Sequence, residues 1–256
     1  MIKTIQLVLI SVTALGIAST AHAGEPEAAF SIVQLQRGII SFDLTPDDLD
    51  ENGKPEDWLI LNQDGKLTCN ADVSTVVISG ASSSIIRINR TLRDFAEQAR
   101  CTHDQDISDL IPKVTYISPE AVSLSFERTE YGKGANGSCH THSEYLNFDL
   151  ESGVQHRLPD ILRSDAFPKI RQDILTAFLK DPGMNQKDLR ELLDREFWTM
   201  GFFIKDNKLY VDLDSYLKSC VDGPFFPVEI NTAYINTESA PAWLETALNI
   251  NFPPPN

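Results

Sequence analysis

Apolar residues along this chain recur at two different spacings, and the order in which those spacings alternate limits the fold more than any other feature. Strand-like runs come first: Ile32 to Asp43, Trp58 to Asn62, and a β-branched run from Val73 to Ser79. Between them Asn62-Gln-Asp-Gly65 carries the Asp-Gly signal of a tight turn into Lys66 to Asn70. The period then changes. Ile85, Ile88, Leu92, Phe95 and Ala99 recur at helical spacing between Ser82 and Arg100, with serines at 82 to 84 offering an N-cap. Alternation returns at Val114 to Ile117, Ala121 to Glu130 and Ser143 to Leu150. Phe167, Ile170, Ile174 and Phe178 mark a second helix, and Leu189, Leu192 and Leu193 a third. Strands are expected again at Phe197 to Ile204, Lys208 to Leu213 and Pro227 to Ile230, the first two separated by Asp206-Asn207. Strand runs that enclose helical insertions predict an α+β fold with a mostly antiparallel sheet.

The first 23 residues read as an export signal rather than as part of this fold. Lys3 supplies the positive end, Ile5 to Ile17 the apolar run, and Ala21-His22-Ala23 a small-x-small cleavage site. The apolar run is too short for a bilayer span, which needs about 20 residues. The mature chain is therefore expected to begin at Gly24, to carry no membrane span, and to be periplasmic or secreted. An N-terminal α+β region over 24–110 and a second domain over 111–250 are the expected units.

Export bears on the cysteines. Cys69, Cys101, Cys139 and Cys220 are an even number in a chain bound for an oxidising compartment, which favours two disulfides over a zinc site, since no C-x-x-C pair is present. Three pairings are open on paper, and sequence neighbourhood favours Cys69 with Cys101 and Cys139 with Cys220. The formal net charge of -15 repels nucleic acid and anionic headgroups while favouring encounter with cationic proteins.

Two local patterns carry metal chemistry. In Asp48-x-Asp50-x-Asn52-Gly53-x-x-Glu56, alternating oxygen-bearing side chains could wrap a hard cation, the glycine permits the tight turn, and the Lys54 carbonyl could add a ligand. The twelfth position is Leu59, so this is no EF-hand; the spacing is similar to the short calcium loop of FG-GAP and VCBS-type repeats, with Glu56 in place of the final Asp. Asp48, Asp50, Asn52, Lys54 and Glu56 are thus the candidate calcium residues, weighed against a solvated acidic loop. Cys139-His140-Thr-His142 would place two imidazoles on one face of a strand, but no third ligand stands at metal spacing. Ser215-x-x-Lys218 spells a nucleophile pair whose companion elements are missing, and no catalytic residue is nominated.

The most distinctive stretch runs from Val114 to Ile235. It holds the glycine-rich loop Tyr131-Gly-Lys-Gly-Ala-Asn-Gly-Ser-Cys139, the strand end Tyr145-Leu-Asn-Phe-Asp-Leu150, a Glu151-Ser-Gly153 turn and Leu158-Pro-Asp-Ile-Leu162. It closes with the Phe203 to Leu213 strands, Tyr216 and Phe226-Pro-Val-Glu-Ile230. That order resembles the RsiV-like domain of bacterial cell-envelope proteins, a family known mainly for binding lysozyme outside the membrane. The resemblance covers about half the chain and rests on turn and strand landmarks. It implies a binding protein rather than an enzyme, with lysozyme or another cationic envelope protein as partner. The loop tip, with Lys133, Gly134 and Asn136, is the candidate contact, because a glycine-rich turn between strands presents its backbone to a partner. A calcium-stabilised envelope enzyme acting on glycans is the competing class, and a structural envelope role the third.

Overall fold

The computed structural model describes residues 29–56, 59, 61–102, 105–132, 139–178, 186–211 and 227–250. The expected export signal lies outside them. Six strands make the main sheet in chain order: β1 (Phe30–Phe42), β2 (Leu67–Ile78), β3 (Gln105–Ile117), β4 (Ala121–Gly132), β5 (Cys139–Asp149) and the short β6 (Gln155–His156). Every neighbouring pair is antiparallel except β2 and β3, which run parallel from Asn70↔Ile107 to Val73↔Leu110. A parallel step needs a crossover, and helix α1 (Ser83–Glu97) supplies it. The α+β reading with a mainly antiparallel sheet is therefore what the chain adopts.

The helical period between 82 and 100 is realised as expected. The Ser82 side chain accepts from the Ile85 amide at 3.2 Å and caps the helix. Ile85, Ile88, Leu92 and Ala96 form the buried stripe, and they meet Val73, Leu110, Val122, Leu124, Phe126 and Phe148 of the sheet. The docking is also polar. Asn89 donates to the Ile78 carbonyl and accepts from its amide, both at 2.8 Å, so one side chain satisfies the strand end as a neighbouring strand would. Thr75 donates to the Leu92 carbonyl at 3.1 Å from a fully covered position.

Several strand bounds differ from the sequence reading. Trp58 and Ile60 lie outside the described residues; of the rest of that run, Leu61 bridges Leu67, and a turn in which Gly65 donates to the Asn62 carbonyl at 3.0 Å with φ of 72° closes the bridge. Lys66 to Asn70 and Val73 to Ser79 merge into the one strand β2. The expected strand from Phe197 to Ile204 is mostly a buried turn: Phe197, Met200 and Phe202 point into the core, and only β7 (Phe203–Lys205) pairs. β7, β8 (Lys208–Val211) and β9 (Val228–Ile230) form a second, antiparallel sheet. Asp206 and Asn207, both at positive φ, make the two-residue turn between its first strands.

The C-terminal part builds its own core. The short α2 (Leu158–Ile161), α3 (Phe167–Phe178), α4 (Gln186–Glu196) and α5 (Ala242–Leu248) bury Leu158, Ile170, Phe197 and Trp243 with Leu209 and Val211 of the small sheet. This core reaches the main sheet at Ala121 and Tyr116, so the sheet carries α1 on one face and the C-terminal elements on part of the other. Strand β3 runs through position 110, and the main sheet takes strands from both sides of the boundary expected there.

Cys69 and Cys101 form a disulfide with Cα atoms 6.0 Å apart. It ties the start of β2 to the segment after α1, beneath Ile40 and Phe42. The bridge restricts the unfolded chain over a 32-residue separation. Replacing both cysteines by serine is expected to cost roughly 2–4 kcal/mol, checked as a shift of the denaturant midpoint at unchanged slope. Cys220 lies outside the described residues, and with it the second expected pairing; non-reducing peptide maps address it directly.

Candidate functional site

The acidic loop is built from its own hydrogen bonds. Thr45 opens a one-turn 3₁₀ helix, Pro46–Asp48, and the Asp48 carboxylate accepts from both the amide and the hydroxyl of Thr45 at 2.7 Å. Asp48 is thereby buried. Two residues on, one oxygen of Asp50 accepts from the amides of Asn52 and Lys54, each at 2.8 Å, and the Asn52 amide nitrogen reaches the other at 3.4 Å. The Lys54 amide, seconded by Asn52, holds the Asp50 carboxyl below its ordinary range. The Lys54 carbonyl accepts from Asp50 at 2.7 Å, and the Glu56 amide donates to the Asp48 carbonyl at 3.0 Å. Gly53 at φ of 73° closes the turn. The five candidate calcium residues thus stand in one hairpin-like loop, in which oxygens of Asp48, Asp50 and Lys54 accept from amides of the same loop. Among the described residues no group of three or more His, Cys, Asp or Glu side chains stands together as a metal centre.

Lys133, Gly134 and Asn136 fall outside the described residues. The strands that carry their loop are paired to its base, where Tyr131 opposes Cys139. Tyr131 is exposed there.

Pairing and alternation decide what else shares that face. Directly opposed residues lie on the same side of a sheet. Register therefore places Arg37 and Ile39 of β1, Asn70 and Asp72 of β2, Ile107, Asp109 and Ile111 of β3, and Glu127, Thr129 and Tyr131 of β4 on one side. Thr141 and Ser143 of β5 continue the row. This is the side that the C-terminal core covers nearer β6, where Tyr145 stacks on Phe203 at 4.8 Å between ring centroids. Beyond that point none of the described elements covers the face: Ile39 is 72 % exposed and Ile111 53 %. An isoleucine this open at the centre of a paired strand is a feature that burial alone does not explain.

At the middle of the open face two carboxylates meet. Asp72 and Asp109 are register partners across the parallel β2–β3 step, and both are half-buried. Gln34 donates to Asp72 at 2.5 Å. Burial pushes the Asp109 carboxyl up, the Asp72 charge adds to that, and a hydrogen bond from the Asp72 amide opposes it. A raised value in the folded state means that Asp109 stabilises the fold fully below the ordinary value of 3.8 and loses that contribution as pH rises through its folded value. Asp109→Asn is therefore expected to melt higher than the parent at pH 7, with the gain vanishing toward pH 4; thermal melts across that range check it.

Neither aspartate was singled out by the sequence pattern. Ile107 and Ile111 alternate with Ser108 and Leu110, but the two isoleucines face outward while Ser108 faces in beside Leu110. Ser108 is fully buried because its hydroxyl donates to the Ala99 carbonyl at 2.5 Å, beyond the end of α1.

No family model matches the chain, and no curated protein does. Among solved structures, it is similar to a member of the DUF3298 family from Bacteroides fragilis NCTC 9343, with 11 % identity and a TM-score of 0.46 over 82 % of this chain and 94 % of that one. It is likewise similar to a DUF3298 family protein from Pseudomonas aeruginosa PAO1, with 12 % identity and a TM-score of 0.46 over 84 % of this chain and 97 % of that one.

Proposed function

We propose that the mature chain is an exported, non-enzymatic binding protein of RsiV-like type, acting in the periplasm or outside the cell on lysozyme or another cationic cell-wall hydrolase. The observation that carries this reading is the uncovered sheet face, where Asp72 and Asp109 lie side by side among Ile39, Ile111 and Tyr131. Exposed apolar side chains around a half-buried anionic centre suit a partner that brings a lysine or arginine on an apolar surface. Such a partner gains from desolvating the isoleucines, and its charge relieves the repulsion between the carboxylates. Tyr131, opposite Cys139, borders the same face, and Lys133, Gly134 and Asn136 follow it in the chain as the proposed contact residues.

The formal charge of -15 acts at longer range. It accelerates encounter with a basic protein, and salt screens it over about 8 Å at physiological ionic strength. Stopped-flow mixing with a basic lysozyme is expected to give an association rate that falls several-fold between low and physiological salt, while dissociation changes little. A rate indifferent to salt would remove the electrostatic part of the reading.

A further inference from the structure

Where the C-terminal core covers the main sheet, four polar or aromatic side chains form a row across four strands. Tyr116 of β3 opposes Ser123 of β4, Ser123 opposes Asn147 of β5, and Asn147 opposes His156 of β6. Trp243 of α5 lies 6.0 Å from Tyr116 and 6.4 Å from His156, centroid to centroid. The strands that carry those two rings lie three spacings apart, about 14 Å between backbones, so the rings lean toward each other. One indole can approach both only by lying over the middle of the row, above Ser123 and Asn147.

Ser123 and Asn147 are fully buried, and Trp243 is 1 % exposed. Each nevertheless has a polar atom with no hydrogen-bond partner among the described residues: Ser123 Oγ, Asn147 Oδ1 and Trp243 Nε1. Three such atoms around one spot are unusual, since a buried donor or acceptor left unmade costs about 1–3 kcal/mol.

We propose that Ser123 Oγ, Asn147 Oδ1 and Trp243 Nε1 converge on a binding site for one internal water molecule. Their chemistry selects the ligand. The indole N–H can only donate, so the occupant must accept. The Asn147 side-chain amide donates to the Phe202 carbonyl at 2.9 Å, which fixes its orientation, and its oxygen is the atom left without a partner, so the occupant must also donate. The Ser123 hydroxyl takes either role. A cation would meet the indole N–H and an anion would meet the amide oxygen, so both are disfavoured. A water, which accepts and donates and is stable with two to four partners, fits all three. It would join α5 to the centre of the main sheet. This inference stands independently of the binding function proposed above.

A crystal structure of the mature protein, at a resolution where ordered waters are assigned, is expected to contain one water within about 3.2 Å of at least two of the three atoms. In solution, the Trp243 indole proton should give a cross-peak to water with the sign of a long-lived bound molecule. Ser123→Val, whose extra methyl carbons occupy the site, should abolish that cross-peak while the remaining amide spectrum stays folded. The proposal is overturned if Ser123 Oγ bonds Asn147 Oδ1 directly and the indole finds a protein carbonyl, with no density between them. A bound-water cross-peak that survives unchanged in the folded valine variant would overturn it too.

Discussion

Trp243→Ala is expected to be among the most damaging single substitutions available in this protein, with a loss of about 3–5 kcal/mol. The indole is among the largest fully buried side chains, and it closes the C-terminal core over the main sheet. Helix α5 has seven residues, too few to be stable alone, so its position depends on what it buries. Removing the ring leaves a hole between Tyr116 and His156, rings on separate strands of a paired sheet that cannot move together to fill it. Chemical denaturation reads the loss directly, and for a domain of this size it corresponds to a fall in melting temperature on the order of 10 °C. Trp243→Phe keeps most of the volume and should cost clearly less. Equal losses for the two variants would mean that packing is not what the indole supplies.

Gly201→Ala follows, by a different mechanism. A methyl group built on Gly201 would lie 2.3 Å from the Tyr145 carbonyl oxygen and 2.9 Å from its Cβ. These are atoms of strand β5, not the tip of a mobile side chain. The glycine cannot retreat, because its neighbours are tied down: the Met200 carbonyl accepts from Leu158 at 2.9 Å, and the Phe202 carbonyl accepts from Asn147 at 2.9 Å. Overpacking against fixed backbone is expected to cost about 3 kcal/mol, the upper part of the usual range. Gly201→Ala melting with the parent would show that this approach is not as close as described. A comparison variant, Gly53→Ala, has open space around it but a φ of 73°, so its smaller penalty would come from backbone conformation alone.

Local signals in the sequence carried a good part of this architecture. The serine cap and the Ile85, Ile88, Leu92 stripe placed α1 because capping and helical periodicity are properties of a short window. The Asp206-Asn207 turn was readable for the same reason. What the sequence concealed depended on distant partners. Strand β3 was expected only from Val114, since Asp106, Ser108 and Pro112 interrupt the apolar pattern. Pro112 stands opposite Phe126 of β4, just past Leu110, where the ladder to β2 ends and the strand is no longer paired on both sides. The parallel β2–β3 step is likewise non-local, and with it went the Asp72–Asp109 pair, which exists only because that register joins two otherwise unremarkable aspartates. Phe197, Met200 and Phe202 looked like a strand because a buried turn can be as apolar as one. Helix α5 was not expected at all, although Trp243, Leu244, Ala247 and Leu248 have helical spacing after Pro241. Seven residues are a weak periodic signal.

The candidate site divides in the same way. The acidic loop could be read from its spacing, and the structure gives that spacing a local purpose, with Asp48 and Asp50 organising the amides around them. The open sheet face could not be read, because its chemistry is assembled from five strands.

The account rests on that face meeting a cationic partner, and calorimetric titration of the mature protein with a hen-type lysozyme tests it most directly. Ile39→Lys and Ile111→Lys place positive charge on the face at positions more than half exposed, where folding should tolerate it. The parent is expected to bind with measurable heat, and each variant to bind at least about tenfold more weakly at an unchanged melting temperature, equivalent to about 1.4 kcal/mol. No heat with the parent, or both lysine variants binding as the parent does, would contradict the account.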